Sequence, residues 1–353
     1  MSEGSLSRFS SFKLFAGTSH PELAEAIARH LHLPLSLIDI HRFSDGEIYV
    51  APKENVRGAD VFFIQPTCPP VNENLVELLI AIDALRRASA ERITAVIPYY
   101  GYARQEKKDA PREPITARLV ADLLEAAGAD RVITVDLHAG AIQGFFKIPV
   151  DHLTALPLFG EYFLEKMNNG MENVTVVAPD AGRVKAAEKL ADYLNAPLTV
   201  VYKHRPRQQE VEVTHVVGDI QGRVPIIFED IVATGGTLVE CVNALLEAGA
   251  LPEVHIAVTH PVLTGAAAQR LNRPEVAELV VTDTIPIPPE KRIPQLRVLS
   301  VAPLLAEAIR RIHGNLSVSA LFDRRLEQPT LWALANSSKV GQSHESGRGS
   351  RSD

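Results

Sequence analysis

Short runs of β-branched and apolar residues alternate with stretches whose apolar positions recur every three or four residues. Val61–Gln65, Ile93–Tyr99 and Val132–Leu137 read as buried strands, and Asn74–Ala88 and Pro114–Ala127 between them read as helices with one apolar face. The alternation resumes at Val174–Ala178, Leu198–Tyr202, Val224–Phe228, Val254–Thr259 and Leu279–Thr282. Strands separated by helices predict βαβ units, and therefore an α/β fold of mostly parallel sheets flanked by helices. In such sheets ligands bind beyond the carboxyl ends of the strands. One segment is echoed later in the chain. Leu123–Asp136 reads LLEAAGADRVITVD, and Leu245–Thr259 reads LLEAGALPEVHIAVT. The echo predicts two similar domains, 11–156 and 157–322, with the boundary in the Pro/Leu stretch Pro149–Pro157. After Phe322 the periodicity stops and the composition turns to Ser, Gly and Arg. Residues 323–353 are expected to be a disordered tail.

Composition narrows the classes of function. Of 353 residues, 46% are apolar and 22% charged, the balance of a globular protein. Asp plus Glu is 43 against 36 for Lys plus Arg, a net charge of −7, which disfavours a broad basic surface for nucleic acid or membrane. The longest stretch free of Asp, Glu, Lys and Arg, Val254–Gln269, is too short to span a bilayer. The first residues, MSEGSLSRFS, lack the apolar core of a signal peptide. Cys68 and Cys241 are the two cysteines, too few for a disulfide framework or a cysteine-only zinc site. A cytoplasmic, reducing location is expected.

The sharpest chemical signal is Val224–Thr237, VPIIFEDIVATGGT. An apolar strand runs into two acids, Glu229 and Asp230, then past Ala233 into Thr234-Gly235-Gly236-Thr237 and a helix. Two glycines permit a tight loop with exposed amides, and a helix N-terminus favours phosphate. Carboxylates just ahead of the loop suit the vicinal hydroxyls of a ribose. Asp136 and His138 are spaced to project from a strand end on the same side, where they can share a magnesium site or hold a triphosphate. Asp180 ends another strand, in VTVVAPDAG. The segment SDGE at Ser44–Glu47 is a turn signal that puts Phe43, Asp45 and Glu47 on a hairpin.

The TGGT strand and loop resemble the phosphoribosyl-pyrophosphate signature shared by type I phosphoribosyltransferases and ribose-phosphate pyrophosphokinases. Further segments resemble the second family: Phe43-Ser44-Asp45-Gly46-Glu47, Tyr102-Ala103-Arg104-Gln105, Asp136-Leu137-His138-Ala139, Pro179-Asp180-Ala181-Gly182 and Ser317-Val318-Ser319-Ala320-Leu321-Phe322. The resemblance covers Phe15 to Phe322. It implies two phosphoribosyltransferase-like domains and transfer of the diphosphoryl group of ATP to the 1-hydroxyl of ribose 5-phosphate, with AMP as the other product. No Walker A sequence is present, so the triphosphate must be held otherwise. Mg²⁺ is the implied cofactor.

Roles follow residue by residue from the resemblance. Lys203 and Arg205 correspond to the catalytic pair. Glu229, Asp230, Ala233, Thr234, Gly235, Gly236 and Thr237 correspond to the ribose 5-phosphate site. Phe43, Asp45, Glu47, Arg104, Gln105 and His138 correspond to ATP contacts, with the hairpin reaching a neighbouring subunit. His138, Asp180 and Asp136 correspond to the metal site, and Arg57, Ser317, Ser319 and Phe322 to a regulatory nucleotide and anion site. A homo-oligomer built from dimers, in the family a hexamer, is implied. Several positions depart from the family pattern. Glu229 stands where aspartate is usual and Ala233 where a third acid is usual. Arg183 stands where a second glycine is common, Lys147 where an acid is common, and Asn55 where serine is frequent. These departures predict altered affinity for ribose 5-phosphate or metal. They leave open a catalytically weak regulatory paralogue, or a phosphoribosyltransferase that consumes the product.

Overall fold

The computed structural model describes residues 11–204 and 213–322. The described chain divides into two compact units. The first holds the residues up to Thr154 with Thr284–Pro286 and Leu304–Leu321; the second holds Ala155–Asp283, Ile287–Pro303 and Phe322.

The first unit is built from β1 (Phe12–Ala16), α1 (Pro21–Leu31), β2 (Ile38–Arg42), β3 (Ile48–Pro52), β4 (Asp60–Ile64), α2 (Val71–Arg87), β5 (Arg92–Ile97), α3 (Thr116–Ala127), β6 (Arg131–Val135) and β7 (Val150–Leu153). Its five-stranded sheet has the order β1-β4-β5-β6-β7, every neighbouring pair parallel. Parallel strands need crossovers, and the helices supply them while covering the sheet. β4 is buried at all five positions, as a central strand covered on both faces must be. The expected hairpin is present: β2 and β3 pair antiparallel, closed by Phe43 N–H donating to Glu47 O at 2.8 Å, with Gly46 at φ +94°. α3 ends at Gly128, φ +113°, where a Cβ would also press on the Arg86 side chain.

The second unit runs α4 (Leu156–Asn168), β8 (Val174–Ala178), α5 (Val184–Leu194), β9 (Leu198–His204), β10 (Val213–Val217), β11 (Val224–Val232), α6 (Gly236–Glu247), β12 (Val254–Pro261), α7 (Ala267–Leu271), β13 (Val276–Thr282) and β14 (Leu296–Leu299). Its seven strands have the order β10-β9-β8-β11-β12-β13-β14, parallel except for the antiparallel β9–β10 pair. The chain winds one way from β8 to β10 and the other way from β11 to β14, so the order reverses between β8 and β11. The carboxyl ends of those two strands therefore open a crevice, where doubly wound sheets bind ligands. The two echoed segments form the same local piece, α3 into β6 and α6 into β12. Cys68 and Cys241 are both buried, Cys241 within the apolar core of the second unit.

The last helix, α8 (Ala302–His313), follows the second unit in sequence, but from Leu304 onward its residues belong with the first. The fully buried carboxylate of Asp60, first residue of β4, explains the attachment. Arg92 grips it with Nε at 2.7 Å and Nη2 at 2.5 Å, and His313 Nδ1 lies 2.7 Å away. Arg92 Nη2 also donates to Ile312 O at 3.2 Å, closing off the helix end. Among the described residues no helix is long and apolar enough to cross a membrane. Arg205 and the tail 323–353 lie outside the described residues.

Candidate active site

The crevice of the second unit is shaped by unequal pairing along β11. Its bonding to β8 stops at Ile227 opposite Val177, but its bonding to β12 continues to Val232 opposite Pro261. Glu229 and Asp230 therefore lie inside the strand, five and six residues from its start, rather than after it as the sequence suggests. On the β8 side they occupy an edge that the sheet has left open. Both are buried. The Asp230 N–H donates to Glu229 Oε1 at 2.9 Å. Burial first, and then the adjacent Asp230, pushes the Glu229 carboxyl up to about 9, against the opposing pull of Arg183.

The crevice is closed from the β8 side by a turn that the sequence does not reveal. Asp180, two residues past β8, accepts the Arg183 N–H on Oδ1 at 3.1 Å, which fixes the turn Ala181–Arg183. From there Arg183 Nε reaches Glu229 Oε1 at 3.1 Å and Nη2 reaches Asp230 Oδ2 at 3.2 Å.

β11 then passes into the loop at Ala233–Gly235. Ala233 O accepts Thr264 N–H at 2.8 Å and Thr264 Oγ1 at 3.1 Å, so this position serves the loop through its backbone. Gly235 is the N-cap of α6 at φ +76°, ψ −4°, and neither threonine caps the helix through its side chain. The left-handed backbone at Gly235 favours glycine, although a Cβ there would find ordinary contact, 3.4 Å from Ala267 O. The first-turn amides of α6 point out of its N-terminus, where an anion is favoured. Thr234 and Thr237 are exposed beside them. Arg270 on α7 donates from Nη1 to Thr234 O at 3.0 Å and brings a cation to the loop. Nothing in the sequence around Arg270 marks it.

Lys203 is in β9, its Cα paired with that of Thr214 in β10. The remaining described candidates lie in the first unit, apart from Phe322. β6 ends at Val135, and Asp136 follows in a bend at φ +37°. β6 stops short of Asp136 and His138, so strand alternation does not set their directions. Asp136 N–H donates to Leu153 O at 2.9 Å, and Leu137 N–H donates to His152 Nε2 at 2.8 Å. His138 is half-buried. Arg104 is exposed, and Gln105 Oε1 accepts Thr116 Oγ1 at 2.6 Å at the start of α3. Phe43 is 49% exposed at the hairpin tip, edge-on to His41 and Tyr49, which stack on each other at 4.6 Å. Glu47 N–H donates to Asp45 Oδ1 at 3.1 Å. Arg57 donates to Ser89 Oγ at 3.3 Å. Ser317 and Ser319 share a hydroxyl hydrogen bond of 2.9 Å, and Ser317 O accepts Arg311 Nη1 at 3.0 Å. Phe322 is half-buried.

A family model described as the N-terminal domain of ribose phosphate pyrophosphokinase matches residues 12–128, and one described as the phosphoribosyl synthetase-associated domain matches 204–323. The ribose-phosphate pyrophosphokinase of Caldanaerobacter subterraneus subsp. tengcongensis is 54% identical across 88% of this chain and 98% of its own. This chain belongs to the ribose-phosphate pyrophosphokinase family. The Bacillus subtilis (strain 168) member is 52% identical over 88% of this chain and 96% of its own. The crystal structure of phosphoribosylpyrophosphate synthetase from Mycobacterium smegmatis superposes with a TM-score of 0.82 at 49% identity, covering 87% of this chain and all (100%) of that one.

Among the described residues no three His, Cys, Asp or Glu side chains gather into a metal cage. Mg²⁺ commonly takes one or two carboxylates and completes its shell with water and substrate phosphates, so it does not need such a cage. Asp180, a half-buried carboxylate at a strand end, fits such a site. Glu229 and Asp230 do not, because a guanidinium already bridges them.

The raised Glu229 carboxyl has a consequence for stability. In the unfolded chain this acid loses its proton near 4.5; in the folded protein it keeps it to about 9. Between those limits the folded state binds more protons, so stability falls as pH rises through the window. Glu229→Gln should flatten that fall by up to about one proton, read as melting temperature against pH. An unchanged profile would mean that Glu229 is ionised in the fold at neutral pH.

Proposed function

We propose that this chain is a working ribose-phosphate pyrophosphokinase that uses ATP and ribose 5-phosphate. The carrying observation is the β11–loop–α6 segment: two buried acids at an open strand edge, running directly into a glycine N-cap, in a chain of this family. In this reading the 5-phosphate rests on the amides after Gly235 with the hydroxyls of Thr234 and Thr237, and Glu229 and Asp230 accept from the ribose hydroxyls. The 1-hydroxyl oxygen attacks the β-phosphorus of ATP. The bond from that phosphorus to the α,β-bridging oxygen breaks, AMP leaves with the electron pair, and the hydroxyl proton is lost. Lys203 and Arg205 supply fixed positive charge for the bridging oxygen and the migrating group. Arg104, Gln105 and His138 hold the nucleotide, and the Asp180 carboxylate would hold Mg²⁺, with water and phosphate oxygens completing its shell. When bound, that ion neutralises phosphate charge and orients the triphosphate.

The second unit acts as the ribose-phosphate domain and the first as its partner domain in the same reading. The Phe43, Asp45 and Glu47 hairpin completes a neighbouring subunit's adenine site in a dimer-based hexamer. Arg57, Ser317, Ser319 and Phe322 form the regulatory site, and the enzyme works in the cytoplasm. The test is AMP formation from ATP. It should require both ribose 5-phosphate and Mg²⁺. Ribose-independent AMP, or none, would favour a regulatory paralogue instead, and pyrophosphate release with a nucleobase would favour a phosphoribosyltransferase.

A further inference from the structure

Arg183 is held at both ends. Its backbone N–H is tied to Asp180, and its guanidinium spans the point where the sheet order reverses, 3.1 Å from Glu229 and 3.2 Å from Asp230. Its side chain is 14% exposed, and those of the two acids are 10% and 6% exposed. We propose that Arg183 is the resident cation of the ribose-binding acids: it holds the Glu229 and Asp230 carboxyl groups together and takes the place of a divalent ion there, so that ribose 5-phosphate binds this chain without magnesium. The Mg²⁺ requirement of turnover then belongs to the triphosphate alone. This inference rests on the ribose reading above.

Three features support it. A planar guanidinium presents a fork of donors, and here the fork engages two different carboxyl groups rather than one, which sets their separation before the sugar arrives. Guanidinium does not surrender its proton, so the positive charge is permanent, and a divalent ion seated on the same carboxylates would meet it at close range in a site largely shielded from water. The side chain at 233 is a methyl group, so the end of β11 offers no third carboxylate to recruit a metal past Arg183. The sugar hydroxyls still find acceptor lone pairs, since a carboxyl group keeps acceptor capacity whether or not it carries a proton. Arg183 is thus a positioning residue for the acids.

The test is the dissociation constant of ribose 5-phosphate alone, by titration calorimetry on the full chain, in millimolar Mg²⁺ and in EDTA. The wild-type value should change by less than about twofold between the two conditions. In Arg183→Gly it should weaken about tenfold in EDTA, the size expected for one lost charge-assisted contact, and Mg²⁺ should restore most of it. Arg183→Lys keeps a point charge and should retain the weak magnesium response. An equal loss for Arg183→Gly in both conditions would assign Arg183 a merely structural role and overturn the proposal, as would a wild-type affinity that collapses in EDTA. Absence of ribose 5-phosphate binding by the wild type in either condition would instead remove the ribose reading itself.

Discussion

Lys203→Ala should lower the turnover number by about 10³-fold while leaving the affinity for ATP within about twofold. Charge on the bridging oxygen and on the moving diphosphoryl group develops only as the bond breaks. A cation aimed there is stronger in the transition state than in the ground state, and its loss appears in kcat. Lys203 lies on β9 with its Cα in register with Thr214 of β10, so its backbone is held by the sheet next to the strand's last residue. Steady-state AMP formation gives kcat, and equilibrium dialysis of a non-reacting ATP analogue gives affinity. Weakened nucleotide binding with unchanged kcat would make Lys203 a ground-state ligand and would move the catalytic charge to Arg205 or elsewhere.

The largest stability loss is expected from Arg92→Ala. Asp60 is fully buried, and its two oxygens are taken by Arg92 Nε, Arg92 Nη2 and His313 Nδ1. Removing one partner of a buried pair strands the other charge, a cost of about 3–5 kcal/mol. Arg92 is 17% exposed, which puts the expected loss near the lower end, about 3 kcal/mol. For a unit of this size that is roughly a 10 °C drop in the melting temperature of the transition that includes the first unit, read by calorimetry. Replacing both charges, Asp60→Leu with Arg92→Leu, should recover part of it, since a packed apolar pair pays no desolvation. A drop of only a degree or two for Arg92→Ala would show that water reaches Asp60, and would remove the account of why α8 stays on the first unit.

Much of the fold was legible because its causes are local. Apolar periodicity locates β4, β5, β6, β8, β9, β11, β12 and β13, and Ser44–Glu47 declares the β2–β3 turn by its own residues. The edge strands β1, β7, β10 and β14 escaped notice. They are four or five residues long, and Phe12–Ala16, Val150–Leu153 and Leu296–Leu299 carry charge. Such a segment becomes a strand only because a neighbour offers a ladder. The extra length of β11 has the same origin. A sequence reading ends the strand at the acids, since carboxylates are seldom buried. The continuing β12 bonds through to Val232, and Arg183 neutralises what that buries.

The sequence alone determined the chemistry on offer: a strand, two acids and a glycine-capped helix, consecutive in the chain, with the spacing that marks the family. That is possible because a phosphate loop is made of adjacent backbone amides. Only the tertiary structure decided which charge stands opposite the acids and what anchors the final helix. Arg183 meets Glu229 and Asp230, and Asp60 meets Arg92 and His313, through the packing of separate strands and helices. A Coulomb contact depends on distance in space, and spacing along the chain carries no record of it.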